Sequence, residues 1–148
     1  MADDKKLILG VGDYYGIAYI GGYFEDIQEN RFVVDERVAN VTDAMKKIDS
    51  GNYWGVLMNS LVLHTGSQVD KYNEKAKKFA EFDYPPMLWR SGGLYVVEQA
   101  CDKGLFTVVN AIDEDGMELG KATELGAKCF TNFRNFGYST LEYFRSCL

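Results

Sequence analysis

Residues 105–133 read LFTVVNAIDEDGMELGKATELGAKCFTNF. Leu105 to Ala111 is an apolar, β-branched run of the length a buried strand has. From Asp113 to Gly126 the apolar residues Met117, Leu119, Ala122 and Leu125 recur at helical spacing. Cys129 to Phe133 is a second short apolar run. A strand, a helix and a strand in so short a span make a βα unit, whose two strands lie parallel.

The same alternation extends in both directions. Leu7 to Val11 reads as a buried strand that ends at Gly12-Asp13. Ile17, Ile20, Phe24 and Ile27 then mark one face of a helix. Gly21 and Gly22 weaken that helix by about 1 kcal/mol each relative to Ala, and a close approach to the sheet is a reason to have them. Arg31 to Asp35 is the next strand, and Thr42 is positioned to cap a helix with Ala44, Met45 and Ile48 inward. Ser50-Gly51-Asn52 stops that helix, and Tyr53 to Met58 is the third strand. Gln68 to Phe82 is rich in Lys and Glu, with Val69, Tyr72, Ala76 and Phe79 at helical spacing, and reads as a surface helix broken by Pro85-Pro86. Ser91-Gly92-Gly93 opens a further helix to about Lys103, ended by Gly104. After the last strand, Ser139 or Thr140 caps a short helix containing Leu141, Phe144 and Cys147.

Five strands separated by crossovers predict an α/β, flavodoxin-like three-layer sandwich with helices on both faces of a parallel sheet. The strand order 2-1-3-4-5 follows from what is common for five βα units, not from spacing. The expected organisation is one domain over residues 1–148, with an insert over 60–92 after the third strand.

The 148 residues carry 16 Lys plus Arg and 22 Asp plus Glu, a formal net charge of −6. Such a balance opposes sequence-independent nucleic-acid binding, which depends on basic residues neutralising phosphates. The apolar runs fall short of the ~20 residues that a bilayer span needs, and the first residues lack the basic and apolar regions of a signal peptide. A cytoplasmic location is therefore expected, and Cys101, Cys129 and Cys147, odd in number and far apart, read as free thiols.

Several segments together are similar to the receiver domains of bacterial two-component response regulators. Ile8-Leu9-Gly10-Val11-Gly12-Asp13 resembles the first receiver strand with its acidic pair. Val41 to Ser50 and Asn52-Tyr53-Trp54-Gly55-Val56-Leu57-Met58-Asn59 resemble the second helix and the phosphoacceptor strand. Thr107-Val108-Val109-Asn110-Ala111 resembles the fourth strand, and Gly126-Ala127-Lys128-Cys129-Phe130-Thr131-Asn132-Phe133 the fifth. The resemblance covers nearly the whole chain apart from the insert. Receiver chemistry needs an aspartate nucleophile, two carboxylates for Mg²⁺, a hydroxyl and a lysine. Here the acidic pair is Gly12-Asp13, the nucleophile position carries Asn59, the hydroxyl position Asn110 and the lysine position Phe133. The resemblance thus implies a receiver fold without phosphotransfer, a pseudo-receiver. Asp13 with the Asn59 and Asn110 amides would make a weak Mg²⁺ site, and no cofactor is expected.

Other constellations are weaker. Gly10-Val11-Gly12-Asp13-Tyr14-Tyr15-Gly16 places its third glycine one residue late for a dinucleotide fingerprint. An Asp13–His64–Ser67 triad has no G-x-S-x-G elbow to support it. The rings that cluster at both ends of the chain read mostly as core. For the remainder, a protein-binding surface fits better than nucleic acid.

The function expected is a stand-alone signalling or regulatory module that acts by binding a protein or a second copy, without catalysis. Receiver families use their C-terminal face for this, and Phe133, Phe136, Tyr138, Tyr143 and Phe144 exceed what one short helix can bury. The alternative is a small enzyme or ligand-binding protein using the strand-end cleft near Asp13, Asn59 and His64.

Overall fold

The apolar runs pair into one parallel sheet in the computed structural model, which describes residues 5–61, 63, 74–83, 91–110, 116–131 and 136–148. The side chains of residues 116, 117 and 136 are not among those described. The strands are β1 (Lys6–Val11), β2 (Phe32–Val38), β3 (Gly55–Met58), β4 (Phe106–Asn110) and β5 (Lys128–Phe130), in the order β2-β1-β3-β4-β5. All four pairings are parallel. The expected flavodoxin-like α/β architecture and strand order are therefore both observed.

The helices are α1 (Tyr14–Asp26), α2 (Val41–Asp49), α3 (Ser91–Asp102), α4 (Gly116–Leu125) and α5 (Phe136–Ser146). Successive strand residues point to opposite faces, so the sheet feeds two cores. Leu9, Val11, Val56, Met58 and Val109 pack with Met45 and Ile48 of α2, Leu94 and Val97 of α3 and Leu119 of α4. Ile8, Leu57 and Val108 pack with Ile17, Ile20 and Phe24 of α1 and with Leu141 and Phe144 of α5.

Several boundaries differ from the sequence reading, each for a local reason. Strand β2 continues past Asp35 to Val38, because it is the sheet edge and its Asp-Glu-Arg stretch faces solvent. A bulge lies within it: Ile8 pairs with Val34 but Leu9 pairs with Glu36, leaving Asp35 unmatched. The two carboxylates consequently share one donor, the Tyr53 hydroxyl, at 3.2 Å for Asp35 and 3.0 Å for Glu36. Asn40, not Thr42, caps α2, its Oδ1 accepting from Asp43 N at 2.8 Å. Thr42 is buried two positions further in. Helix α5 starts at Phe136, so Thr140 is a buried interior residue and not a cap.

In the insert, a 3-10 helix spans Lys77–Phe82 and buries Phe79, with Ala76 before it, against the α3 side of the core. It is therefore more than a surface layer. Across the gap, Asp83 Oδ1 accepts from Ser91 N at 2.7 Å and so caps α3. Gln68 to Asn73 and Pro85-Pro86 lie outside the described residues. Helix α3 ends at Gly104, φ +78°, as the sequence predicts. All three cysteines are free and half-buried. Burial pushes the Cys101 and Cys129 thiols up, away from the reactive thiolate. No helix among the described residues is long and apolar enough to cross a membrane.

Candidate functional site

Asp13 and Asn59 follow β1 and β3 at the carboxyl edge of the sheet, where open α/β folds place their ligands. The structure brings these two residues together through the Asn59 amide and the Asp13 backbone, not through the Asp13 carboxylate. Asp13 N donates to Asn59 Oδ1 at 2.8 Å, and Asn59 Nδ2 donates to Asp13 O at 3.4 Å. The Asp13 carboxylate turns the other way and caps α1, Oδ2 accepting from Gly16 N at 3.0 Å. The Asn59 amide is thus a latch across the β1–α1 turn.

Glycine makes room for that latch. Gly12 has φ +125°, and a Cβ on it would collide with Asn59 Oδ1. A Cβ on Gly16 would collide with Asn59 Nδ2. From the edge strand, Arg37 Nη1 donates to Gly12 O at 2.8 Å and lays its guanidinium 5.6 Å from the centre of the Tyr14 ring. The turn is therefore held from β3 and from β2 at once.

Asn110, at the end of β4, takes part in neither contact. It is fully buried and its Nδ2 donates to Thr140 Oγ1 of α5 at 3.4 Å. Its Oδ1 is buried with no hydrogen-bond partner among the described residues, a penalty of about 1–3 kcal/mol in a typical interior. His64, Ser67 and Phe133 lie outside the described residues.

These donors do not fit Mg²⁺. The ion prefers carboxylate and water oxygens in strict octahedral geometry. Here the Asp13 carboxylate is committed to a helix cap, Asn59 to backbone, and Asn110 to α5. Among the described residues, no group of three or more His, Cys, Asp or Glu side chains is arranged to hold a metal. An amide is no nucleophile for acyl-phosphate formation, and the geometry commits this one to holding the β1–α1 turn.

At the C-terminal face the expected residues divide. Tyr138 is 58% exposed and Tyr143 half-buried, and both line a cavity of about 350 Å³ beside Phe130 of β5. Phe144, expected among the surplus surface rings, is fully buried. It packs 5.9 Å from Phe32 and 5.6 Å from Trp54, ring centre to ring centre, and closes the α1–α5 core. The Phe136 side chain is not among those described.

The sequence reading missed a surface on α1. Tyr14, Tyr15 and Tyr19 are 60%, 80% and 61% exposed. The signal was present: these rings fall off the Ile17–Ile20–Phe24 stripe.

No protein-family model and no curated protein matches the sequence. Solved structures do match the fold. The response regulator domain of Thermotoga maritima CheB is 15% identical with a TM-score of 0.60, over 96% of this chain and 95% of that one. A Burkholderia pseudomallei protein described as pilus assembly-related is 14% identical with a TM-score of 0.58, over 98% of this chain and 93% of that one. At such identities the likeness is one of fold: with the strand order above, this chain has the flavodoxin-like α/β fold that those structures share.

Proposed function

We propose that the protein is a stand-alone receiver-like module that is not phosphorylated and that signals by binding another protein. One observation carries the reading: the residue in the phosphoacceptor place, Asn59, is an amide spent on the backbone of Asp13. Asn110 in the hydroxyl place and Phe133 in the lysine place agree with it. On this reading the module needs no cofactor, performs no catalysis and works in the cytoplasm. Its binding surface is constitutively presented, because no phosphoryl group switches it. The C-terminal face supplies one such surface, the β5–α5 cavity flanked by Tyr138 and Tyr143, for a partner protein or a second copy.

Incubation with Mg²⁺ and acetyl phosphate tests the first part. The intact mass is expected to stay unchanged, and Asn59→Asp alone is expected not to restore phosphorylation. An adduct of one phosphoryl group on any aspartate of the wild-type chain would overturn the reading. Sedimentation of the wild type beside Tyr143→Ala tests the surface.

A further inference from the structure

A trough runs between α1 and the edge strand β2. It holds about 470 Å³ toward the amino end of β2 and about 300 Å³ toward its carboxyl end, and both parts are lined by Gly21, Glu25 and Val34. The trough exists because α1 lacks side chains there. A Cβ on Gly21 would only touch Val34, and one on Gly22 would meet nothing within 4 Å. These two glycines therefore do not serve a close approach of helix to sheet, as the sequence suggested; they leave a slot open.

At the carboxyl end the slot opens beside Tyr14, with the exposed rings of Tyr15 and Tyr19 on the same helix. Tyr14 and Tyr15 stand edge to face with centres 5.5 Å apart. Exposed aromatic clusters beside an apolar slot mark protein-binding surfaces. Charge selects the partner. Glu25, Asp35 and Glu36 line the slot against Arg37. Glu36 is held by Lys47, and Arg37 offsets one more charge, so this end of the slot keeps an excess of one carboxylate among the described residues. Arg37 also shows what the rings accept, since its guanidinium already lies over Tyr14.

We propose that this α1–β2 slot docks an arginine-bearing amphipathic segment of a partner protein, with guanidinium groups on the tyrosine faces and apolar side chains over Gly21 and Gly22. Strand addition to β2 is disfavoured, because the bulge at Asp35 interrupts the edge. The proposal goes beyond the absence of phosphorylation and does not depend on it.

The test is a titration of the ¹⁵N-labelled full chain with a short amphipathic peptide of arginine and leucine, beside the same peptide with glutamate for arginine. The arginine peptide is expected to saturate, with amide shifts confined to Tyr14, Tyr15, Tyr19, Gly21, Gly22 and Val34. Tyr15→Ser combined with Tyr19→Ser is expected to weaken it about tenfold, the loss typical of a central aromatic anchor. Gly22→Leu fills the slot and is expected to weaken it comparably while the chain unfolds at no lower temperature, which separates a blocked site from a broken fold. Equal binding of the glutamate peptide, indifference to both variants, or self-association through the same tyrosines overturns the proposal. Shifts confined to Phe130, Tyr138 and Tyr143 also overturn it while supporting the β5–α5 surface. A phosphoryl adduct in the acetyl phosphate experiment leaves it standing.

Discussion

Two glycine-to-alanine substitutions in the same helix are expected to have opposite signs. In a helix interior, Ala is more stable than Gly by about 0.5–1 kcal/mol, because Gly loses more backbone freedom on folding. At Gly22 a Cβ meets nothing within 4 Å, so Gly22→Ala is expected to stabilise by that amount, about 2–4 °C in Tm per kcal/mol for a chain of this size. Gly16 offers the same helix gain, but its Cβ would land on Asn59 Nδ2. The amide must leave, taking with it the 2.8 Å bond from Asp13 N and the longer one to Asp13 O. Those losses are about 1–2 kcal/mol, and residual overpacking adds about 1–3 kcal/mol. Gly16→Ala should therefore destabilise by about 1–4 kcal/mol net. Asn59→Ala removes the obstacle, leaving only the Cβ of residue 59, 3.4 Å from the new methyl. In that background Gly16→Ala should be neutral or stabilising. The four chains of the double-mutant cycle can be compared by urea unfolding. If Gly16→Ala stabilises the wild type as Gly22→Ala does, or costs the same with and without Asn59, the latch is not packed as described.

Core and surface rings at the C-terminus should separate cleanly. Phe144→Ala is expected to cost about 3–5 kcal/mol, against less than about 0.5 kcal/mol for Tyr138→Ala, both read from chemical unfolding. Glu29 provides a pH handle: hydrogen bonds from Arg31, with Arg145 of α5 adding to them, hold its carboxyl at about 2 against a usual 4.5. A depressed folded value means that the stabilisation is complete above 4.5 and disappears as pH falls toward 2. Arg31 and Arg145 are both exposed, so solvent screening reduces the contribution to about 1–2 kcal/mol. Glu29→Gln should lose that much at neutral pH and flatten the stability curve between those two values.

What the sequence made legible was what depends on periodicity. The Ile17–Ile20–Phe24 and Ala44–Met45–Ile48 stripes appear where the spacing puts them, and each of the five apolar runs holds a strand, although β2 runs on to Val38 and β5 stops at Phe130, short of Phe133. What it hid was decided by contacts between residues far apart in the chain. Thr140 has the chemistry of a cap, yet it is buried against Asn110, thirty positions away. Phe144 looks superfluous beside its neighbouring rings until Phe32 and Trp54, from β2 and the approach to β3, are seen to need a third ring. Thr42 and Asn40 are both good capping residues two positions apart, and only geometry shows which one reaches Asp43 N. Strand β2 was cut short because an edge strand with Asp35, Glu36 and Arg37 in succession does not look like a buried one. The amide at Asn59 was readable. Its purpose was not, although Gly12 and Gly16, spaced four apart without any phosphate-binding motif, were the available clue.

The latch and the tyrosine surface belong to one mechanical unit. Tyr14 follows Asp13 directly, so a bond that fixes the Asp13 backbone also fixes where α1 begins and where its first ring stands. Arg37 joins the same turn from the other side, donating to Gly12 O while lying over Tyr14. A carboxylate in place of the Asn59 amide would keep an acceptor for Asp13 N but lose the donor to Asp13 O, placing negative charge against a carbonyl. The amide satisfies both partners and carries no charge to be changed by a phosphoryl group or by pH. A turn held in this way has one position in place of two. The backbone from which the rings grow is therefore fixed before any partner arrives, and less conformational entropy would be lost on docking. On the proposed reading, the absence of a switch and the fixed start of α1 would have the same physical origin in the choice of residue at position 59.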